Sequence, residues 1–221
     1  MRSIVTNGVP QWLCGLVAIG AMSGLMSTAA RAAQTPYVSG QGYAAVVNLA
    51  TGTQQFAGAA LPPDGGMVDA DVDAAAVAST LTASTLNSIT TGMADSAVGS
   101  AQTSAEAADV SILNGLITAR QVLGVAASYV NQQAAGSGAD GSALVDVVVN
   151  GVPLAGTPPP NTRIDLAGVG YVVLNEQTPT GDGVTTSGIS VNMIHVVLQN
   201  ALTGLTTGEI VVGSATSAVA F

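Results

Sequence analysis

An all-β fold, a β-sandwich of jelly-roll-like build, is what this sequence predicts, and three observations carry it. Short stretches rich in Val, Ile, Thr and Tyr recur between clusters of Gly, Pro, Asn and Asp, the rhythm of strands and turns. Hydrophobic residues make up 48% of the chain, enough for a core, whereas charged residues reach only 8%. An average domain carries about 25% charged residues, so the surface must be covered by Gly, Ala, Ser, Thr, Asn and Gln. Finally, Asn150-Gly151 follows an apolar run, a strong hairpin signal because both residues accept positive φ.

Taken in order, residues 1–32 read as a secretory signal peptide. Arg2 supplies the basic start, residues 13–26 (LCGLVAIGAMSGLM) the apolar run, and Ala30-Arg31-Ala32 the small-x-small cleavage site. The run is shorter than the roughly 18–20 apolar residues of a membrane span. Cleavage leaves one all-β domain over residues 33–221, with no transmembrane segment expected in it. Cys14 and Trp12 leave with the signal, so no disulfide steadies the mature chain. The sequence has no lysine, and the mature part sets Arg120 and Arg163 against 13 acids, a balance of −11. No basic patch exists to neutralise phosphates, which excludes nucleic-acid binding and electrostatic attachment to anionic membranes.

Within the domain, residues 43–49 (YAAVVNL) form the first strand, and residues 61–66 (LPPDGG) a loop. Residues 77–91 (VASTLTASTLNSITT) suit a strand with one polar face. Residues 105–135 leave two readings open. Ala105 to Ala108 and Arg120 to Leu123 suit a short helix; Gly115 and Gly124, with Ile117, Val122, Val125 and Val130, suit two strands. Residues 143–149 (ALVDVVV) run into the Asn150-Gly151 hairpin, and residues 157–161 (TPPPN) form a stiff connector. A second hairpin turns through Ala167-Gly168-Val169-Gly170. Residues 191–198 (VNMIHVVL) alternate, with Val191, Met193, His195 and Val197 on one face and Asn192, Ile194, Val196 and Leu198 on the other. Both faces are largely apolar, which predicts a central strand covered on both sides. Residues 209–212 open the last strand, which reaches Phe221. The pattern L-x-x-[IL]-T-T-G occurs at residues 86–92 and 202–208, the mark of a duplication or of two similar strand ends.

Residues 147–153 (VVVNGVP), 160–177 (PNTRIDLAGVGYVVLNEQ), 191–198 (VNMIHVVL) and 208–215 (GEIVVGSA) together carry a resemblance. With residues 39–49 (SGQGYAAVVNL) as the opening strand, the chain resembles the choice-of-anchor P family of secreted bacterial surface proteins. That resemblance implies an exported surface protein whose shared domain is followed by one of several anchors. The sequence stops at Phe221 without a sorting motif, so release or self-assembly is expected instead. The family supplies no catalytic residues to carry over.

Candidate sites are few. His195 is the only histidine, so any Ser-His-Asp chemistry would have to use it; in mid-strand among valines it reads instead as a hydrogen-bonded structural residue. Asp69, Asp71 and Asp73 form the one acidic cluster. On a loop they could wrap calcium, which takes six to eight oxygens; on a strand they would share one solvated face at steps of about 6.6–6.8 Å. Glu176 with an Asp could do glycosidase work, but six mature aromatics make a poor sugar groove. No enzyme is therefore expected, and no cofactor other than calcium.

The expectation is a secreted structural protein of the cell surface or extracellular matrix, a homo-oligomer or homopolymer assembling by β-strand addition. Residues 33–49 are the candidate donor strand, with Tyr43, Ala45, Val47 and Leu49 as its anchoring pattern. A monomeric adhesin or ligand-binding sandwich, stabilised by calcium at the acidic cluster, is the alternative.

Overall fold

The computed structural model describes residues 35–221, and all the regular structure among them is β-strand. The signal peptide read at residues 1–32 lies outside the described residues. Strands follow in chain order as β1 (Tyr37–Leu49), β2 (Gly52–Ala60), β3 (Gly66–Val77), β4 (Leu81–Ala94), β5 (Val98–Ile112), β6 (Ile117–Asn131) and β7 (Ala135–Gly138). They continue as β8 (Ala143–Val145), β9 (Val148–Val149), β10 (Val152–Pro153), β11 (Thr162–Leu166), β12 (Gly170–Gly181), β13 (Thr186–Gln199) and β14 (Thr206–Ala220). Two antiparallel sheets pack into a sandwich: sheet A in the order β11-β12-β13-β14-β1-β2, and sheet B in the order β10-β9-β6-β5-β4-β3, with β7 and β8 also on β6.

The connectivity differs from the jelly-roll-like one expected. β3 to β6 and β11 to β14 are each a meander of neighbouring hairpins, whereas a jelly roll needs Greek-key crossings. The hairpin β1–β2 docks its first strand against β14, residue for residue from Tyr37↔Ala220 to Leu49↔Gly208. Both predicted tight turns are present. Asn150 (φ 52°) and Gly151 (φ 76°) close β9 on β10, and Leu166↔Gly170 closes β11 on β12. Of the two readings of residues 105–135, the strands hold and the short helix is overturned. Ala101, Thr103, Ala105 and Ala107 are buried at a period of two, and Gly115 (φ 87°) turns β5 into β6. Alanine-rich sequence followed the pairing offered by its neighbours rather than its helix propensity.

One transverse row in each sheet reverses which side of the strand faces inward. In sheet A, Ala44-Ala45, Val212-Gly213, Met193-Ile194 and Leu174-Asn175 are consecutive buried pairs lying side by side. Ala57, Gly213 and Asn175 take positive φ (47°, 69° and 52°) on alternate strands of that row. In sheet B the corresponding positions point outward, with positive φ at Thr85, Asp109 and Asp146. Such irregularities re-aim side chains without ending a strand. This corrects the prediction that β13 has two regular faces, both covered: Val191 and Met193 face inward, the step at Met193 turns Ile194 and Val196 inward as well, and Asn192 and His195 are left on the outer face.

The row also separates two kinds of interior. On the side of Leu49 and Gly208 the sheets are held apart by Val47, Leu81, Ile112, Ile117, Leu174, Ile194 and Ile210, all fully buried. On the side of Tyr37 and Ala220 the interior is richer in Gly, Ala, Ser and Thr, and its larger buried side chains are mostly valines: Val38, Val130, Val191 and Val219, with Ile189. A Cβ on Gly40 would strike Thr90 and come within 2.7 Å of Thr103 Oγ1, and one on Gly124 would strike the Gly213 carbonyl of the opposite sheet. Ser128 of β6 donates to the Ser217 carbonyl of β14 (3.1 Å), and the two hydroxyls lie 2.7 Å apart. The small polar residues expected to cover the surface are in part the interior: Ser88, Thr90, Thr103, Ser128 and Ser217 are all buried.

Candidate functional site

His195 and Glu176 meet on the outer face of sheet A, because β12 and β13 are neighbours and the step at Met193 and Asn175 turns both outward. His195 Nδ1 lies 2.9 Å from Glu176 Oε2, and Asn192 Nδ2 donates to the same oxygen at 2.8 Å. Ser214 donates to Asn192 Oδ1 at 2.8 Å, so its hydroxyl is committed to the amide. The hydrogen bond to His195 holds the Glu176 carboxyl below its ordinary range, against the opposing effect of burial. The same bond raises His195, with the Glu176 and Glu209 charges adding to it and burial opposing it. Nε2 of His195 is buried and has no partner among the described residues. The geometry is that of a lateral clasp between two strands: the only imidazole is held by a carboxylate on one side and closed in on the other.

The acidic cluster lies on β3, the last strand of sheet B. Asp69, Asp71 and Asp73 occupy alternate outward positions and are exposed. Asn87 of β4 donates to Asp71 Oδ1 at 2.5 Å. Extended backbone spaces these carboxylates about 6.6–6.8 Å apart, rather than wrapping them round a point, and among the described residues no three acidic or histidine side chains gather as a metal site. A row of charge on an exposed edge has a different physical consequence: it discourages pairing with another strand.

The candidate donor pattern of β1 is already engaged. β1 is paired along its length with β14 on one side and β2 on the other. Ala45 and Val47 are buried in the core and Leu49 packs against it, while Tyr43 lies beyond the step and faces outward, its hydroxyl accepting from Gln41 Nε2 at 2.6 Å. Within one copy, residues 37–49 thus form an inner strand of sheet A, next to its edge strand β2.

Unpaired backbone lies instead at the outer strands, and these are unequal. β3 carries its three aspartates; β11 has five residues including Arg163 and Asp165; β10 has two residues, one of them Pro153. β2 runs nine residues (GTQQFAGAA) with no charge and no proline, and Gly52 to Gln55 are exposed.

Two apolar features complete the surface. On the outer face of sheet B, at the small-residue end, a groove of about 580 Å³ is walled by Met93 and Tyr129 and floored by Ser100, Gln102, Ala127 and Gly138. The Tyr129 ring rests over Gly136, where a Cβ would come within 2.6 Å of it. At the opposite end, the β13–β14 turn exposes Leu202 and Leu205, 96% and 68% accessible.

No protein-family model, curated protein or solved structure matches this chain. Its surfaces are therefore read from their own chemistry. Sequence reasoning singled out the acidic cluster and the histidine but missed the groove, whose residues come from β3 to β7 and from Asp140 beyond β7, and share no local pattern. The turn had a signal: two leucines among Asn, Thr and Gly, where turn chemistry calls for polar side chains.

Proposed function

We propose that this is an exported structural protein of the cell surface or extracellular matrix whose copies join by β-strand addition, through β2 rather than through a strand released from residues 33–49. The single observation that carries the reading is the contrast between the outer strands: β2 alone is long, uncharged and proline-free. Natural sheets blunt their edges with charge, proline or brevity, and here every other edge is blunted. The signal-like start and the resemblance to choice-of-anchor P proteins support export to a surface. With 13 acids against four arginines in the whole sequence, a second copy is repelled by most of the molecule, and an uncharged edge is where approach costs least. Antiparallel pairing of β2 with its own copy is isologous and would join two A sheets into one.

Sedimentation velocity of the chain from Gln34 tests this. A concentration-dependent dimer is expected, and the pair Gln54→Glu and Gln55→Glu, which adds like charges to the meeting edges of both copies, is expected to abolish it with the fold intact. Monomers at every concentration, with a melting temperature raised by calcium, would favour the adhesin reading instead.

A further inference from the structure

We propose that copies of this protein also join end to end, the Leu202–Leu205 turn of one copy seating in the groove between Met93 and Tyr129 of the next. This contact is separate from β2 and does not depend on it.

The turn is built to present its leucines. Asn200 Oδ1 accepts from the backbone N–H of Leu202 and of Thr203, each at 3.0 Å. The backbone closes beneath, Gly204 N–H to the Asn200 carbonyl at 2.8 Å and Asn200 N–H to the Leu205 carbonyl at 2.9 Å. The loop is thus ordered before anything binds, which removes much of the entropic cost of burying it. Leu202 is the most exposed large hydrophobic among the described residues, and burial of two leucines is a substantial driving force.

The groove answers in size and in charge. Its 580 Å³ accommodates two leucine side chains, its walls are a thioether and a phenol ring, and its floor is small and neutral. Asp140 is the one charged residue lining it, and residues 200–208 carry no charge at all. In so acidic a chain these are two surfaces that meet without repulsion.

Position decides the occupant. The turn follows β13 at the Leu49–Gly208 end, while the groove is lined from the Gly66, Met93 and Ser100 end of sheet B. About a dozen residues of rigid strand, roughly 40 Å, separate them. A copy cannot reach its own groove, so the turn must enter another's. A knob on one copy and a groove at the far end of the next make a heterologous contact, and each junction leaves one free knob and one free groove, so the chain of copies grows.

The test uses the chain from Gln34 with the β2 edge blocked by Gln54→Glu and Gln55→Glu, so that only this contact remains. In that background, species larger than a dimer are expected by sedimentation velocity. Leu202→Ser with Leu205→Ser, on an exposed turn, is expected to weaken association on the order of a hundredfold. So is Met93→Glu with Gln102→Glu, two exposed changes in the groove. Mixing the two double variants restores one intact knob and one intact groove, and a 1:1 pair that grows no further is expected. A monomeric parent, unchanged association in either variant, or no pair on mixing would overturn the proposal. Loss in the groove variant alone would assign the groove another occupant and overturn it too. If the edge-blocked parent assembles while the unblocked chain shows no β2-dependent species, the reading of β2 fails and this one stands.

Discussion

In the half of the sandwich that holds Ile112, Ile117, Ile194 and Ile210, large side chains fill the space between the sheets; in the half that holds Gly40, Ser128 and Ser217, smaller side chains and valines do, and at Gly40 and at Gly124 on the dividing row the opposite sheet comes within reach of the backbone. The first half is stabilised as most cores are, by apolar area removed from water. The second has less such area, from Val38, Val130, Val191 and Val219, and adds close contact and paired hydroxyls, Thr90 with Thr103 within sheet B and Ser128 with Ser217 across the layers. The lesson is that a chain poor in aromatics and free of disulfides can still extend a sandwich, with glycines admitting close approach where large side chains grow fewer. It follows that the two halves should respond to opposite kinds of substitution.

The largest effect is expected in the aliphatic half. Ile194→Ala or Ile210→Ala removes fully buried methyl groups from a packed layer and should cost about 2–5 kcal/mol in urea unfolding. Insertion should dominate in the other half and on the dividing row. Gly124→Val drives a side chain into the Gly213 backbone and should cost about 1–3 kcal/mol or more. A tolerated Gly124→Val would break the comparison. Next come the hydroxyls. Ser128→Ala strips Ser217 of its cross-sheet partner and should cost about 1–3 kcal/mol, with part regained in the double variant Ser128→Ala, Ser217→Ala. Ser88 offers the reverse case. Its buried hydroxyl has no partner among the described residues, so Ser88→Ala should be neutral or stabilising in the same assay.

The smallest effect is a pH dependence confined to the outer face of sheet A. His195 is raised from 6.5, so its contribution is present below that value and is lost as pH rises through the higher folded value. Glu176 is lowered from 4.5, so its contribution is present above that value and is lost as pH falls through the lower folded one. Both shifts describe one hydrogen bond, which is therefore counted once and is part-exposed, worth under about 1 kcal/mol. Melting temperature against pH should show its plateau between those limits, and His195→Gln should flatten the alkaline side.

How much of this was legible before the structure differs by region. Turns were legible because Asn150-Gly151 and Gly168 carry their geometry in their own residues. The fold class was legible from strand spacing. The order of strands was not, since nothing local distinguishes a meander from a crossing. The facing of His195 was hidden because alternation was carried straight through Met193, and a step shared by neighbouring strands leaves no mark in any one of them. Likewise Asp69, Asp71 and Asp73 announced a charged face, but whether that face bordered a sheet depended on β3 being last in the order. The apolar pattern of Tyr43 to Leu49 marked a strand in want of neighbours, and the chain itself supplies both.

The central claim, that copies meet along β2, is tested most directly by hydrogen–deuterium exchange of the chain from Gln34 across a concentration series. Alternate amides of Gly52–Ala60 point away from β1 and should gain protection as concentration rises, while amides of β3 do not change. Exchange in β2 that stays fast at every concentration, or protection that appears on β3 instead, would contradict the account.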